Sequence, residues 1–135
     1  MRARAYRIYD KVSKQMLYPK DLARMAVFLD PAGEPVQFKA GERVAKLQNC
    51  VVMYSTGLAT RGGHPIWEAD ILDVTIPTEF GSVLPARGFM QWDSMLGKWH
   101  IHIPNPPILV PDGEFPVVQS DVAGNIYQQP DLLKI

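Results

Sequence analysis

The sequence has a single cysteine, no excess of charge of either sign and no apolar run long enough to cross a bilayer. One cysteine, Cys50, excludes an intramolecular disulfide and fits a reducing compartment, so the expected location is the cytoplasm. Its neighbours Val51 and Val52 read it as a buried structural thiol. Fourteen basic residues balance fourteen acidic ones, so global charge recruits neither nucleic acid nor an anionic membrane. A span needs about 18 to 20 consecutive apolar residues, and none is present. Arg2, Arg4 and Arg7 open the chain without the apolar stretch of a signal peptide behind them. Long uninterrupted helices are disfavoured by twelve prolines in 135 residues.

Present instead is an ordinary globular composition, 47% hydrophobic and 21% charged, in a chain long enough to bury a core without metal or disulfide staples. The pattern is one of short strands and turns. Residues 3–9 read as a strand and Met16–Tyr18 as its return across the polar turn 10–15. Asp30-Pro31-Ala32-Gly33 is a type I turn signal that links Val27–Leu29 to Val36–Phe38 as a second hairpin. Residues 20–29 mix helical spacing with strand formers. Glu42–Gln48 reads as a helical turn or irregular chain, and Cys50–Tyr54 as a strand. From Asp70 onward, strands are expected at 70–77, 81–85, 88–92 and 99–103, a texture that points to a small barrel or sandwich. Pro104–Pro116 reads as a rigid extended loop, and Pro130-Asp131-Leu132-Leu133 as a short helical start.

Three blocks of this sequence together resemble the YopX family of small proteins encoded by bacteriophages and prophages. The first runs from Arg4-Ala5-Tyr6-Arg7-Ile8-Tyr9-Asp10-Lys11 to Lys14-Gln15-Met16-Leu17-Tyr18. The second is Tyr54-Ser55-Thr56-Gly57-Leu58 followed by Pro65-Ile66-Trp67-Glu68-Ala69-Asp70-Ile71. The third is Gly124-Asn125-Ile126-Tyr127-Gln128-Gln129-Pro130-Asp131-Leu132-Leu133. Ala69 departs from the family's glycine, Trp67 from its tyrosine, and Gly63-His64-Pro65 and the 104–116 stretch also differ. The resemblance implies a phage origin, a β-rich fold and an assembly of several copies, and it implies no reaction. The expected architecture is mainly β: an N-terminal hairpin region over 1–68, an SH3-like barrel over 69–135 and a short C-terminal helical turn.

Candidate chemistry is sparse. His100 and His102 lie two apart on a strand and share a face, but a zinc site needs a third ligand, and only His64 and Asp93 are candidates. Exposed strand histidines are the plainer reading, and neither a metal nor a cofactor is expected. Glu68 and Asp70 would share a face on an extended chain and, with His100, could centre an enzyme. Their plainer role is to accept backbone N–H bonds at the entry to the barrel. Arg87, Phe89, Trp92, Lys98 and Trp99 could form an aromatic, basic face for nucleic acid, extended by Arg2, Arg4, Arg7 and Arg61. Core packing competes for Trp92. Tyr54, Gly57, Leu58, Trp67, Glu68, Asp70, Gly124, Asn125, Tyr127 and Pro130 are the motif positions expected to carry structure. The functional expectation is a non-enzymatic phage accessory protein that acts by binding, with self-assembly or a phage or host protein as the partner.

Overall fold

A computed structural model describes residues 5–39, 42–60, 62–77, 83–95, 97–104, 107–111 and 121–133. The chain divides into two compact units, Met1–Tyr54 and Ser55–Ile135. No helix among the described residues is long and apolar enough to cross a membrane.

In the first unit, β1 (Tyr6–Asp10) and β2 (Gln15–Leu17) form the opening hairpin, with Ile8 opposite Leu17 and Asp10 opposite Gln15. The turn is held by Asp10, whose carboxylate accepts the Val12 N–H at 2.9 Å and the Ser13 hydroxyl at 2.9 Å. These bonds favour the charged form and lower the Asp10 pKa below its ordinary value. Pro19 starts the short helix α1 (Pro19–Arg24), and the Asp21 carboxylate accepts the Tyr18 N–H at the helix entry. Of the ambiguous stretch 20–29, the first half is thus helix and the second half is β3 (Val27–Leu29). Between them Ala26 takes a left-handed conformation, φ 54°.

β3 pairs with β4 (Pro35–Lys39) across the expected turn, where the Gly33 N–H reaches the Asp30 carbonyl. The Asp30 carboxylate also accepts the N–H groups of Ala32 and Glu34. The third strand of this sheet, β5 (Glu42–Lys46), occupies the segment expected to be a helical turn or irregular. Its pairing with β4 decides the conformation, with Val36 opposite Lys46 and Gln37 opposite Ala45. The first half of β6 (Cys50–Ala59) pairs with β1. Ile8, Leu22 and Val27 form this unit's buried core, with Leu17, Cys50 and Val52 packed against it. Burial is the main cause that raises the Cys50 thiol pKa.

In the second unit, β6 continues to Ala59 and pairs with β7 (Pro65–Trp67). Five further strands make one sheet in the order β11-β10-β9-β8-β12. They are β8 (Asp70–Pro77), β9 (Val83–Asp93), β10 (Lys98–Pro104), β11 (Pro107–Pro111) and β12 (Asp121–Asn125). The sheet curls into a half-barrel, and a short 3-10 turn, Pro130–Leu133, ends the described chain.

Two expectations need correction. The strands read at 81–85 and 88–92 are one strand, β9, although Gly81 and Ser82 lie outside the described residues. Within Pro104–Pro116, which was expected to be loop, Pro107–Pro111 is a strand paired to β10, with Ile101 opposite Val110. Residues 105–106 and 112–116 of that stretch lie outside the described residues. Gly88 lets the sheet close up on itself, because a Cβ there would lie 2.6 Å from Ile101 Cγ2 and 2.7 Å from the His102 carbonyl oxygen. The core beneath the sheet comprises Ile66, Leu72, Val74, Met90, Trp99, Ile101 and Ile103.

The lowered Asp10 pKa gives the opening hairpin a pH signature. Stability from this carboxylate is present above its unfolded pKa of about 3.9 and is lost as pH falls through the lower folded value. Urea midpoints compared between pH 5 and pH 2.5 should therefore fall further in the wild type than in Asp10→Asn. Equal falls would remove Asp10 from the account.

Candidate binding site

A half-buried antiparallel sheet usually shows one apolar face and one polar face. The β3-β4-β5 sheet departs from this rule. Val27 points into the core, while its neighbour Phe28 is 52% exposed on the opposite face. The register sets Phe28 opposite Val36 and Val36 opposite Lys46, so three strands deliver one row to that face. Phe38, two residues beyond Val36, is 41% exposed and meets Phe28 edge to face, with ring centroids 5.8 Å apart. Around the two rings lies an open hollow of about 500 Å³, walled also by Leu29, Pro31 and Val36 and by the charged Asp30 and Lys46. That volume is within the range of about 300–1,000 Å³ typical of ligand sites. Single exposed apolar side chains such as Val12 and Met95 are ordinary, whereas two exposed rings in contact beside a hollow make a candidate contact surface. The Lys46 ammonium is bonded to Glu34 at 2.8 Å, and that bond is the main cause that raises its pKa. The negative charges of Glu34 and Asp30 raise it further. The sequence reading missed this face because Phe28 and Phe38 look like core residues until the register shows where they point.

The five residues singled out for nucleic acid fall on two faces of the curled sheet. Trp99 is buried in the core, and Trp92 packs beside it edge to face at 5.1 Å. Arg87, Phe89 and Lys98 belong to the other face by strand alternation. On that face Arg87 is paired with Asp73 at 2.6 Å and donates to the Leu132 carbonyl, and Lys98 stands opposite Asp93 in the register. Phe89 stacks on His102 at 5.0 Å. Arg7 is buried, with its guanidinium 5.7 Å from the Tyr18 ring centroid, so it adds nothing to a basic surface. Arg2, Arg4 and Arg61 lie outside the described residues.

His100, expected to be exposed, is only 9% exposed. Its Nε2 lies 3.0 Å from Gln91 Oε1, and its Nδ1 lies 4.0 Å from Asp93. His64 sits in the Thr60–His64 turn, where its backbone N–H donates to the Thr60 hydroxyl. Among the described residues no group of three or more His, Cys, Asp or Glu side chains is arranged to hold a metal ion. Glu68 and Asp70 do not share a strand face, because the chain turns between them at Ala69 with φ 72°. Asp70 is buried and folds back to accept the Trp67 N–H at 2.8 Å. Glu68 contributes its negative charge to Tyr127, whose hydroxyl pKa is raised first by burial and then by that charge.

The motif positions make a latch of the same kind. The Ala69 N–H reaches the Met90 carbonyl, and the Ala69 carbonyl accepts the Ile126 N–H. Asn125 is buried, and its side-chain oxygen accepts the N–H groups of Tyr127 and Gln128. Its own N–H donates to the Gln129 side chain beside the β12 bulge at Gly124, before Pro130 begins the final turn. Gly57 has φ 78° where the register of β6 and β7 shifts, and Thr56 bonds both the Ile66 carbonyl and the Leu58 N–H. Leu58 packs on the core, and Tyr54 lies opposite Tyr6 in the first unit.

The YopX protein family model matches residues 5–134. The chain belongs to the YopX family. The crystal structure of the YopX protein from Bacillus subtilis has the same fold, with a TM-score of 0.63 at 18% identity over 96% of this chain and 98% of that one. Protein EF1440 from Enterococcus faecalis is similar to the same degree, with a TM-score of 0.61 at 18% identity over 99% and 100% of the two chains. No curated protein matches the chain. The three YopX-like blocks map onto the β1–β2 hairpin, the β6–β8 corner and the β12 tail, and several of the bonds made there are to backbone. At the family's glycine position, Ala69 adopts the left-handed conformation that glycine takes freely, at a cost of about 1–2 kcal/mol.

Asp70 is a structural acceptor in this arrangement. Asp70→Ala leaves the Trp67 N–H buried without that acceptor and should destabilise the protein by about 1–3 kcal/mol in urea unfolding. Asp70→Asn keeps a side-chain oxygen and should lose markedly less. Equal, negligible losses would contradict the assignment.

Proposed function

We propose that this protein is a non-enzymatic interaction module, an accessory protein of phage or prophage origin that works in the bacterial cytoplasm by binding another protein. The observation that carries the reading is the pair of exposed rings, Phe28 and Phe38, standing over the buried Val36 on a sheet whose other face already packs on the core. The side chains that could have supported chemistry have structural partners instead. His100 is engaged by Gln91, Asp70 by the Trp67 N–H, and Arg87 by Asp73. Nucleic acid is the weaker reading, because carboxylates face the cations of the curled sheet and two of the five candidate residues pack with the core. Binding at the aromatic face needs no catalytic group and no cofactor.

Immobilised wild type and the double variant Phe28→Ser/Phe38→Ser, incubated with host lysate, test the reading. The variant should melt within a few degrees of the wild type, because both rings are exposed, and should lose the bands that the wild type retains. Arg87→Ala and Lys98→Ala should keep them. The opposite pattern, with salt-sensitive retention of single-stranded DNA lost in Arg87→Ala and Lys98→Ala, would contradict it in favour of nucleic acid.

A further inference from the structure

The hollow on the β3-β4-β5 sheet has a chemical preference as well as a shape. Its apolar walls, Phe28, Val36 and Phe38, accept a large hydrophobic side chain. Charge at its edge is unbalanced. Among the described side chains, Asp30 and the Glu34–Lys46 ion pair stand there, which leaves one carboxylate in excess. That ammonium is already bonded to Glu34 Oε2, so it offers little to an incoming anion. The Asp30 carboxylate holds the turn by accepting the N–H groups of Ala32 and Glu34. The raised pKa of Lys46 is consistent with this surplus, since both carboxylates favour its protonated form. An exposed aromatic ring also attracts a cation over its face.

We propose that the Phe28–Phe38 hollow receives a segment of another protein in which a large apolar side chain is followed closely by an arginine or lysine. The apolar side chain fills the hollow, and the basic group lies against Asp30 and Glu34. This rests on the interaction reading above and adds the chemistry of the partner to it. Hydrophobic contact supplies most of the affinity, while the exposed charges set the preference and contribute less.

Selection of a random peptide library on the full-length protein, followed by titration of the synthesised winners by fluorescence anisotropy, tests the proposal. Enriched peptides should pair a large apolar residue with a neighbouring arginine or lysine. Phe38→Ser and, separately, Phe28→Ser should weaken binding by about tenfold or more. Glu34→Gln should weaken it by about two- to fivefold, and replacing the basic residue of the peptide with glutamate should do at least as much without any change to the protein. Enrichment of acidic or uncharged peptides would overturn the proposal, as would binding indifferent to both phenylalanines. A wild-type dimer that Phe38→Ser converts to monomer would also overturn it, because a second copy would then fill the hollow. If lysate retention still depends on Phe28 and Phe38 in any of those cases, the interaction reading survives and only the partner's chemistry is wrong. If it does not, both fall.

Discussion

The bond from the Trp67 N–H to the buried Asp70 carboxylate is the constraint on which the second unit depends. It closes the four-residue turn between β7 and β8, in which Ala69 takes a left-handed conformation. Once Ala69 is turned, its N–H meets β9 at Met90 and its carbonyl meets the chain after β12 at Ile126. One corner therefore ties the β7–β8 turn to β9 and to the chain after β12, three segments distant in sequence. A buried carboxylate is costly unless its oxygens are bonded, and here the bond is made to a backbone group that would itself be costly to leave unpaired.

The segments that make the chain recognisable as a YopX protein share this habit of bonding backbone groups. Asp70, Asn125, Thr56 and Gly57 act on backbone groups, at a corner, a bulge and a strand shift. They specify a scaffold. The surface proposed for binding lies between the first and second of those blocks, on strands β3 and β4, where side chains can change without disturbing the latch.

Local chemistry made the turns legible in the sequence. Asp10 and Asp30 are short side chains that bond the backbone two or more residues on, and they announce both hairpins. Pairing partners were harder to see. Glu42–Lys46 has no strong strand signature and becomes β5 because β4 offers it a ladder. Pro85 and Gly88 looked like the ends of separate strands. In the folded chain Pro85 sits within β9, opposite Thr75 of β8 and beyond the stretch that pairs with β10, and Gly88 marks a close approach. Pro107 and Pro111 likewise suit β11 because it is the edge strand of the sheet. Of the candidate sites, the split of Trp92 and Trp99 from Arg87, Phe89 and Lys98 follows from simple alternation along two strands. Phe28 and Phe38 could not be assigned outward without knowing that Val27 faces the core.

Native-state hydrogen exchange at the corner tests the central claim most directly. The amides of Trp67, Ala69 and Ile126 should exchange only with the slowest class, with the same denaturant dependence as core amides such as Ile101, because opening the corner dismantles the sheet. Rapid, denaturant-independent exchange at these three amides while Ile101 stays protected would contradict the account, since the sheet would then stand without its latch.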